Sequence, residues 1–179
     1  MYGPVLSGEK VRLRPPQDGE AKLFVEWFAD TEVTRYLALR FPPALYQEEE
    51  FLKKIGESKD DVFWMIEAEG RPIGAAGIHR IDWANAHAAT GILIGDKSCW
   101  RKGYASEAMR LRTAYAFREL NLHKLQSSAF AENTGSRRAL EKSGYRQIGV
   151  EREQHWREGR WHDHWLAEVL RADWERESG

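Results

Sequence analysis

Apolar and polar positions change period several times along this chain, and each change marks an element. Val11-Arg12-Leu13-Arg14 alternates with period two and reads as a strand over 11–14, stopped by Pro15 and Pro16. Ala21, Phe24, Val25 and Phe28 then recur at spacings of three and four, which predicts an amphipathic helix over 18–28 with Asp18 as its cap. A short helix over 30–37 and an amphipathic helix over 46–55 follow, separated by Pro42 and Pro43. The apolar run 62–68 is a strand, and the turn 69–72 joins it to a hairpin partner over 73–81. The next strand covers 89–94. Pro72 is the last proline, so the later elements can run long. They are a helix over 106–120, a strand over 123–131, a helix over 134–143 ended by Gly144, and strands over 147–156 and 161–170 around a turn at 157–160.

Strand, helix and strand in succession after residue 89 require a crossover, hence some parallel pairing, while the hairpins require antiparallel neighbours. The expected class is α+β, a mixed but mostly antiparallel central sheet flanked by helices. No repeat, low-complexity segment or linker interrupts the 179 residues, so a single domain over 1–179 is expected. A hydrophobic content of 42% against 31% charged residues fits a globular chain and not a disordered one. A formal net charge of −1 gives no global field for nucleic acid or an anionic membrane, so a charged partner must be read by a local patch. The only cysteine, Cys99, excludes an intrachain disulfide and fits a reducing compartment. No apolar signal core opens the chain and no run approaches a membrane span, so the expected location is the cytoplasm. The eight tryptophans read as large core and surface anchors.

The densest chemistry follows the strand that ends at Ile92-Leu93-Ile94-Gly95. A basic, glycine-bearing turn, Trp100-Arg101-Lys102-Gly103-Tyr104-Ala105-Ser106, leads straight into a helix. A helix start offers backbone N–H groups and a positive dipole end, and Arg101 and Lys102 add charge there, a combination that suits a phosphate. The spacing is neither that of a Walker loop nor G-x-G-x-x-G. An ordinary strand–helix loop that happens to carry a glycine is the alternative.

This turn resembles the pyrophosphate-binding loop of the GNAT superfamily of acetyl-CoA-dependent N-acetyltransferases, written Q/R-x-x-G-x-G/A. Gly103 and Ala105 match, and Trp100 stands where Gln or Arg is usual, a form similar to the RimJ/RimL-like branch. The stretch from Asn133 through Ser136 to Glu141-Lys142-Ser143-Gly144-Tyr145 resembles that branch's second signature, N-x-x-S…E-K-x-G-F/Y. The resemblance implies a GNAT-like fold in which splayed strands hold acetyl-CoA. It implies cofactor contacts from Ile92, Leu93 and Ile94, whose backbone would meet the pantetheine amides, from the turn 100–106, and from Asn133, Ser136 and Lys142. For Asn133 a plain helix cap is the competing reading.

The catalytic groups are less plain. Many relatives carry a Tyr as acid one residue before the Glu of the E-K-x-G ending; here that residue is Leu140, which leaves Ser136 as the candidate. Relatives often carry a Glu before the strand glycine that Gly91 matches, but Ala88-Ala89-Thr90 holds no carboxylate. His79, Asp82, Glu32 and a water wire are the remaining candidates for the base, with a structural His79 and a turn-forming Asp82 as the bland alternatives. Trp27, Glu32 and Tyr36, with Glu26 and Asp30, fall in helices that by resemblance wall the acceptor site, where aromatic and acidic groups suit a cationic amine. His155, His162 and His164 raise the question of zinc, but the matching strand of the family carries no metal, and none is expected. The expectation is an N-acetyltransferase moving an acetyl group to a primary amine of a protein N-terminus, a polyamine or a small molecule by direct attack in a ternary complex. A catalytically silent acyl-CoA sensor and a histidine-based metal-binding module are the rivals. No nucleic-acid or membrane partner is expected, and a homodimer is left open.

Overall fold

The computed structural model describes residues 1–178. Its strands are β1 (Leu6–Ser7), β2 (Arg12–Arg14), β3 (Val62–Ala68), β4 (Arg71–Asp82), β5 (His87–Ile94), β6 (Lys124–Phe130), β7 (Arg146–Arg157) and β8 (Arg160–Leu170). Its α-helices are α1 (Ala21–Ala29), α2 (Thr31–Thr34), α3 (Leu45–Glu57), α4 (Tyr104–Arg118), α5 (Thr134–Glu141) and α6 (Arg171–Ser178). The strands form one eight-stranded sheet in the order β1-β2-β3-β4-β5-β6-β8-β7. Every neighbouring pair is antiparallel except β5 and β6, because α4 crosses over between them. The α+β class with a mostly antiparallel mixed sheet is therefore found.

The sheet is covered on both faces. One face packs Leu13, Trp64, Ile73, Ile78, Leu125 and Trp165 with Ala108, Met109 and Phe117 of α4. The other packs Phe63, Met65 and Ala75 under Phe24 of α1 and Leu52 and Ile55 of α3. Trp64 and Trp165 are fully buried, whereas Trp83, Trp156 and Trp161 are exposed, so the tryptophans split between core and surface.

Where expected elements shift, a specific interaction is responsible. The turn before β4 is only Glu69 and Gly70, both at positive φ, as a two-residue hairpin turn requires, and Arg71 and Pro72 belong to the strand. α1 starts at Ala21, and Asp18 does not cap it. Glu20 precedes the helix with its carboxylate drawn away by buried Arg14, which donates to both oxygens at 2.6 and 3.0 Å. The short second helix keeps only Thr31–Thr34; beyond it the chain is held by Arg157, whose guanidinium donates to the carbonyls of Leu37 and Leu39. β1 and α6 carry too little periodicity to be predicted.

Candidate active site

β5 and β6 pair only from His87 with Lys124 to Ala89 with Gln126. Beyond that point β5 stays on β4 through Ile94 while β6 stays on β8 through Phe130. The two strands part at Thr90, whose hydroxyl donates to Gln126 O at 3.1 Å while its carbonyl accepts from Ser127 Oγ at 3.3 Å. Ile94 O accepts from Trp100 Nε1 at 2.8 Å, again away from β4. Backbone groups alternate sides along a strand, so Ile92, between Thr90 and Ile94, turns its N–H and C=O into the gap. Leu93 faces β4 instead, its carbonyl lying against Gly74.

The gap leads to the basic turn. After β5, Gly95 and Asp96 donate to Ile73 O, and a single 3-10 turn, Lys97–Cys99, precedes Trp100. Trp100 is the tie between turn and strand. Arg101 and Gly103 both take left-handed φ, of 63° and 86°, which swings the chain into α4. At Gly103 the reason for glycine is this φ: a Cβ there meets no protein atom within 4 Å, so the space in front of the turn is open. The first hydrogen bond of α4 runs from Glu107 N–H to Gly103 O, leaving the N–H groups of Tyr104, Ala105 and Ser106 without acceptors inside the helix. α5 stands beside this helix start, since Ser143 Oγ donates to Ser106 O at 3.3 Å.

The two basic residues of the turn differ. Arg101 is exposed and has no partner among the described residues, so its charge is available. Lys102 is held at 2.8 Å by Glu69, which also accepts from Tyr104 Oη at 2.7 Å and from Arg71 at 3.0 Å. Those bonds, Lys102 first, push the Glu69 carboxyl down to about 2.

On α5, Asn133 Oδ1 accepts from Ser136 N–H at 3.1 Å, so the asparagine does cap the helix. Its Nδ2 has no partner among the described residues, and neither has the half-buried Ser136 hydroxyl. Leu140 is buried at 1% exposure inside the core. Lys142 is exposed at the helix end.

The two base candidates separate. Asp82 spends Oδ1 on Asn85 N–H and Oδ2 on Asn85 Nδ2, and it closes the β4–β5 hairpin at the end opposite the basic turn, where β5 and β6 are still paired. The structure thus makes Asp82 a turn former, and those bonds hold its carboxyl below the usual range. His79 lies on the α1/α3 side of the sheet with its ring over Gly77 and Gly91; its Nε2 would sit 2.4 Å and 3.4 Å from a Cβ at those positions. Nδ1 faces Asp61 Oδ1 at 3.4 Å, and Ser58 Oγ donates to Asp61 Oδ2 at 2.6 Å. Burial pushes the imidazole below its ordinary value against the pull of Asp61. An open cleft of about 410 Å³ reaches His79 between Phe51, Ile55 and Asp61.

The expected acceptor walls also divide. Trp27 covers Gly95, where a Cβ would come within 2.1 Å of the indole. Glu32 and Asp30 are both paired with Lys97, at 2.9 and 2.7 Å. Tyr36 reaches across to Phe130 at the open end of β6, with ring centroids 5.7 Å apart, and Phe130 in turn stacks on His155 at 4.5 Å. His162 pairs with Glu132 and His164 with Glu151, each at 3.0 Å, and no group of three metal-type side chains converges among the described residues.

The sequence reading missed Asp61, Phe130, Tyr145 and Arg112. Two of these left a signal: Tyr145 closes the E-K-x-G-F/Y ending, and Arg112 follows buried Ala108 and precedes buried Ala116 at four-residue spacing and so falls on the core face of α4.

With this geometry in hand, likeness to known proteins is informative. The acetyltransferase (GNAT) domain matches residues 10–146. The probable N-acetyltransferase YjcK of Bacillus subtilis (strain 168) is 30% identical, over 94% of this chain and 98% of its own. Spermidine N-acetyltransferase from Vibrio cholerae, solved in complex with CoA and spermine, superposes with a TM-score of 0.86 at 20% identity, over 94% of this chain and 99% of its own. Mycobacterium smegmatis RimJ in complex with CoA-disulfide gives 0.80 at 20% identity, covering 96% and 87%.

Proposed function

The chain belongs to the GNAT acetyltransferase family and is an N-acetyltransferase, and from that premise we propose that it transfers the acetyl group of acetyl-CoA directly to a primary amine at the fork between β5 and β6. One observation carries the reading: the gap that opens where β5 parts from β6 after Ala89 leads, through the open space before Gly103, to the unpaired N–H groups that start α4. The residues fit the molecule. Ile92 offers an N–H and a C=O to pantetheine amides, the first turn of α4 and Arg101 offer donors and charge to the pyrophosphate, and Asn133 Nδ2 offers a donor from α5. Trp100 ties the turn to β5 through Ile94 O, and Leu93 faces β4. Lys102 contributes charge once it turns from Glu69, and Lys142 stands at the exposed end of α5.

Acetyl-CoA supplies an activated acyl carbon and a fair leaving group. The chain's own groups manage the proton and the geometry. His79, neutral because burial disfavours its charged form, holds the place of the base, with Asp61 orienting its ring. Ser136, with its hydroxyl uncommitted, holds the place of the acid that Leu140 cannot fill. Asp82 is not assigned a role in proton transfer. Tyr36, Phe130 and His155 border the acceptor side, beneath the β7–β8 hairpin that Arg157 clips to the segment after α2.

The test is an acetyl-CoA assay that follows free thiol across a panel of peptides with free α-amines, polyamines and amino acids. Turnover with one class is expected. A chain that binds CoA by calorimetry but acetylates nothing is a sensor, and a chain that does not bind CoA loses the proposal altogether.

A further inference from the structure

Among the described residues, a charged group lies beneath the fork without a charged partner. Arg112 of α4 is 0% exposed. Its Nη1 donates to Gly91 O at 2.6 Å, on the first residue past the point where β5 leaves β6. Its Nη2 meets Tyr145 Oη at 3.5 Å, and its Nε is buried with no acceptor. Tyr145 Oη in turn meets Thr90 Oγ1 at 3.3 Å and Thr113 Oγ1 at 3.4 Å. Every neighbour in this network is neutral. Among the described residues no carboxylate pairs with Arg112: Glu107, one turn earlier on α4, accepts from Lys10 N–H, and Asp61 is engaged by His79, Ser58 and Arg80 N–H. The other charges facing the fork are His79 from β4 and, beside it, exposed Arg80.

A buried guanidinium with no counter-ion is costly, and its field is weakly screened. A fold keeps such a group where a negative charge will visit. The proposed reaction, on which this inference rests, produces one there. As the amine nitrogen bonds to the acetyl carbon, the carbon–sulfur bond breaks, its electron pair leaves on sulfur as a thiolate, and the amine proton passes to the base. We propose that Arg112 is a positioning residue for this transfer, whose unpaired charge at the root of the fork stabilises the departing CoA thiolate while its bond to Gly91 O fixes the strand on which the thioester lies. This supplies by electrostatics what a tyrosine acid supplies elsewhere in the family, and it accounts for a site that carries a buried Leu140 in the tyrosine's place. The same charge already acts on its surroundings, being one of the smaller influences that hold His79 below its ordinary value, after burial.

The test uses CoA itself and needs no acceptor. The pKa of its thiol on the protein is read from the ultraviolet absorbance of the thiolate, and the imidazole of His79 is titrated by NMR in the free chain. Bound CoA is expected to titrate at least about one unit below free CoA, a tenfold gain in thiolate at a given pH. Arg112→Lys keeps most of that depression. Arg112→Gln returns the thiol to its free value and raises the His79 pKa, because a nearby positive charge has gone. Near-ultraviolet circular dichroism establishes that each variant is folded, and if the Gln variant is not, the wild type and the Lys variant decide. Bound CoA titrating as free CoA in the wild type overturns the proposal, as does an Arg112→Gln protein in which neither group moves. In those cases CoA still binds and the acetyltransferase reading stands; a wild type that does not bind CoA sinks both.

Discussion

Gly103→Ala separates a strained turn from a ligand cradle. Gly103 has φ +86° and no protein atom within 4 Å of where a Cβ would sit. The stability cost therefore comes from backbone conformation alone. An L-residue in the left-handed region costs about 1–2 kcal/mol, and the loss of glycine's freedom in the unfolded chain returns about 0.4–1 of that. The net is about 1 kcal/mol, or a melting point lowered by about 2–4 °C for a chain of this size. Gly19 provides the control, with φ +81° and equally open surroundings in the loop before α1. Gly19→Ala should lower the melting point by the same amount. The two variants should part in calorimetry with CoA. A methyl group at 103 stands in the space before the unpaired N–H groups of α4, so CoA affinity should fall at least about tenfold, or 1.4 kcal/mol, while Gly19→Ala binds as the wild type does. Equal melting shifts with equal CoA affinity in both variants would refute the placement of the pyrophosphate at this turn.

Other outcomes follow from single contacts. Asn133→Ala should cost about 1 kcal/mol of stability through the lost cap, whereas Asn133→Asp keeps the cap and its melting point; if both bind CoA as the wild type does, the amide Nδ2 makes no contact with the cofactor. Glu69→Gln frees Lys102 for the pyrophosphate and should tighten CoA severalfold by calorimetry, and unchanged affinity would leave Lys102 outside the site. Glu69 has a depressed pKa, so its bonds to Lys102 and Tyr104 stabilise the fold above its unfolded value and are lost as pH falls from about 4.5 to about 2; the Gln variant should show a correspondingly flatter acid limb in melting against pH. Gly95→Ala drives a methyl into the indole of Trp27 and should destabilise the fold by about 1–3 kcal/mol, which a denaturant melt reads directly. Ser136→Ala should lower kcat roughly tenfold with little change in acetyl-CoA affinity, and a variant as fast as the wild type at saturation would remove Ser136 as the acid.

Much of this was legible in one dimension. Strand β3 matched its expected limits, and every element with a clear period of two or of three to four appeared within a few residues of its place, because periodicity is a local record of which face is buried. The crossover, and with it the parallel pairing of β5 with β6, followed from element order. The basic turn and the Asn133 cap were readable too, since phosphate-type loops and helix caps are built from consecutive residues. What sequence could not settle depended on residues that only the folded chain brings together. Glu20, not Asp18, stands at the start of α1, and its carboxylate is held by Arg14 from a neighbouring strand. Lys102 is neutralised by Glu69 from the turn between β3 and β4, whereas adjacent Arg101 has no partner among the described residues. That Asp82 closes the β4–β5 hairpin on Asn85 while the ring of His79 lies over Gly77 and Gly91 is a fact of pairing and packing that no pattern along the strands encodes. Arg112 is the clearest case. Its spacing marked a core position, but that it sits beneath the fork with no carboxylate among the described residues to meet it was decided by α4, β5 and Tyr145 converging from three parts of the chain, and a buried charge takes its meaning from such neighbours.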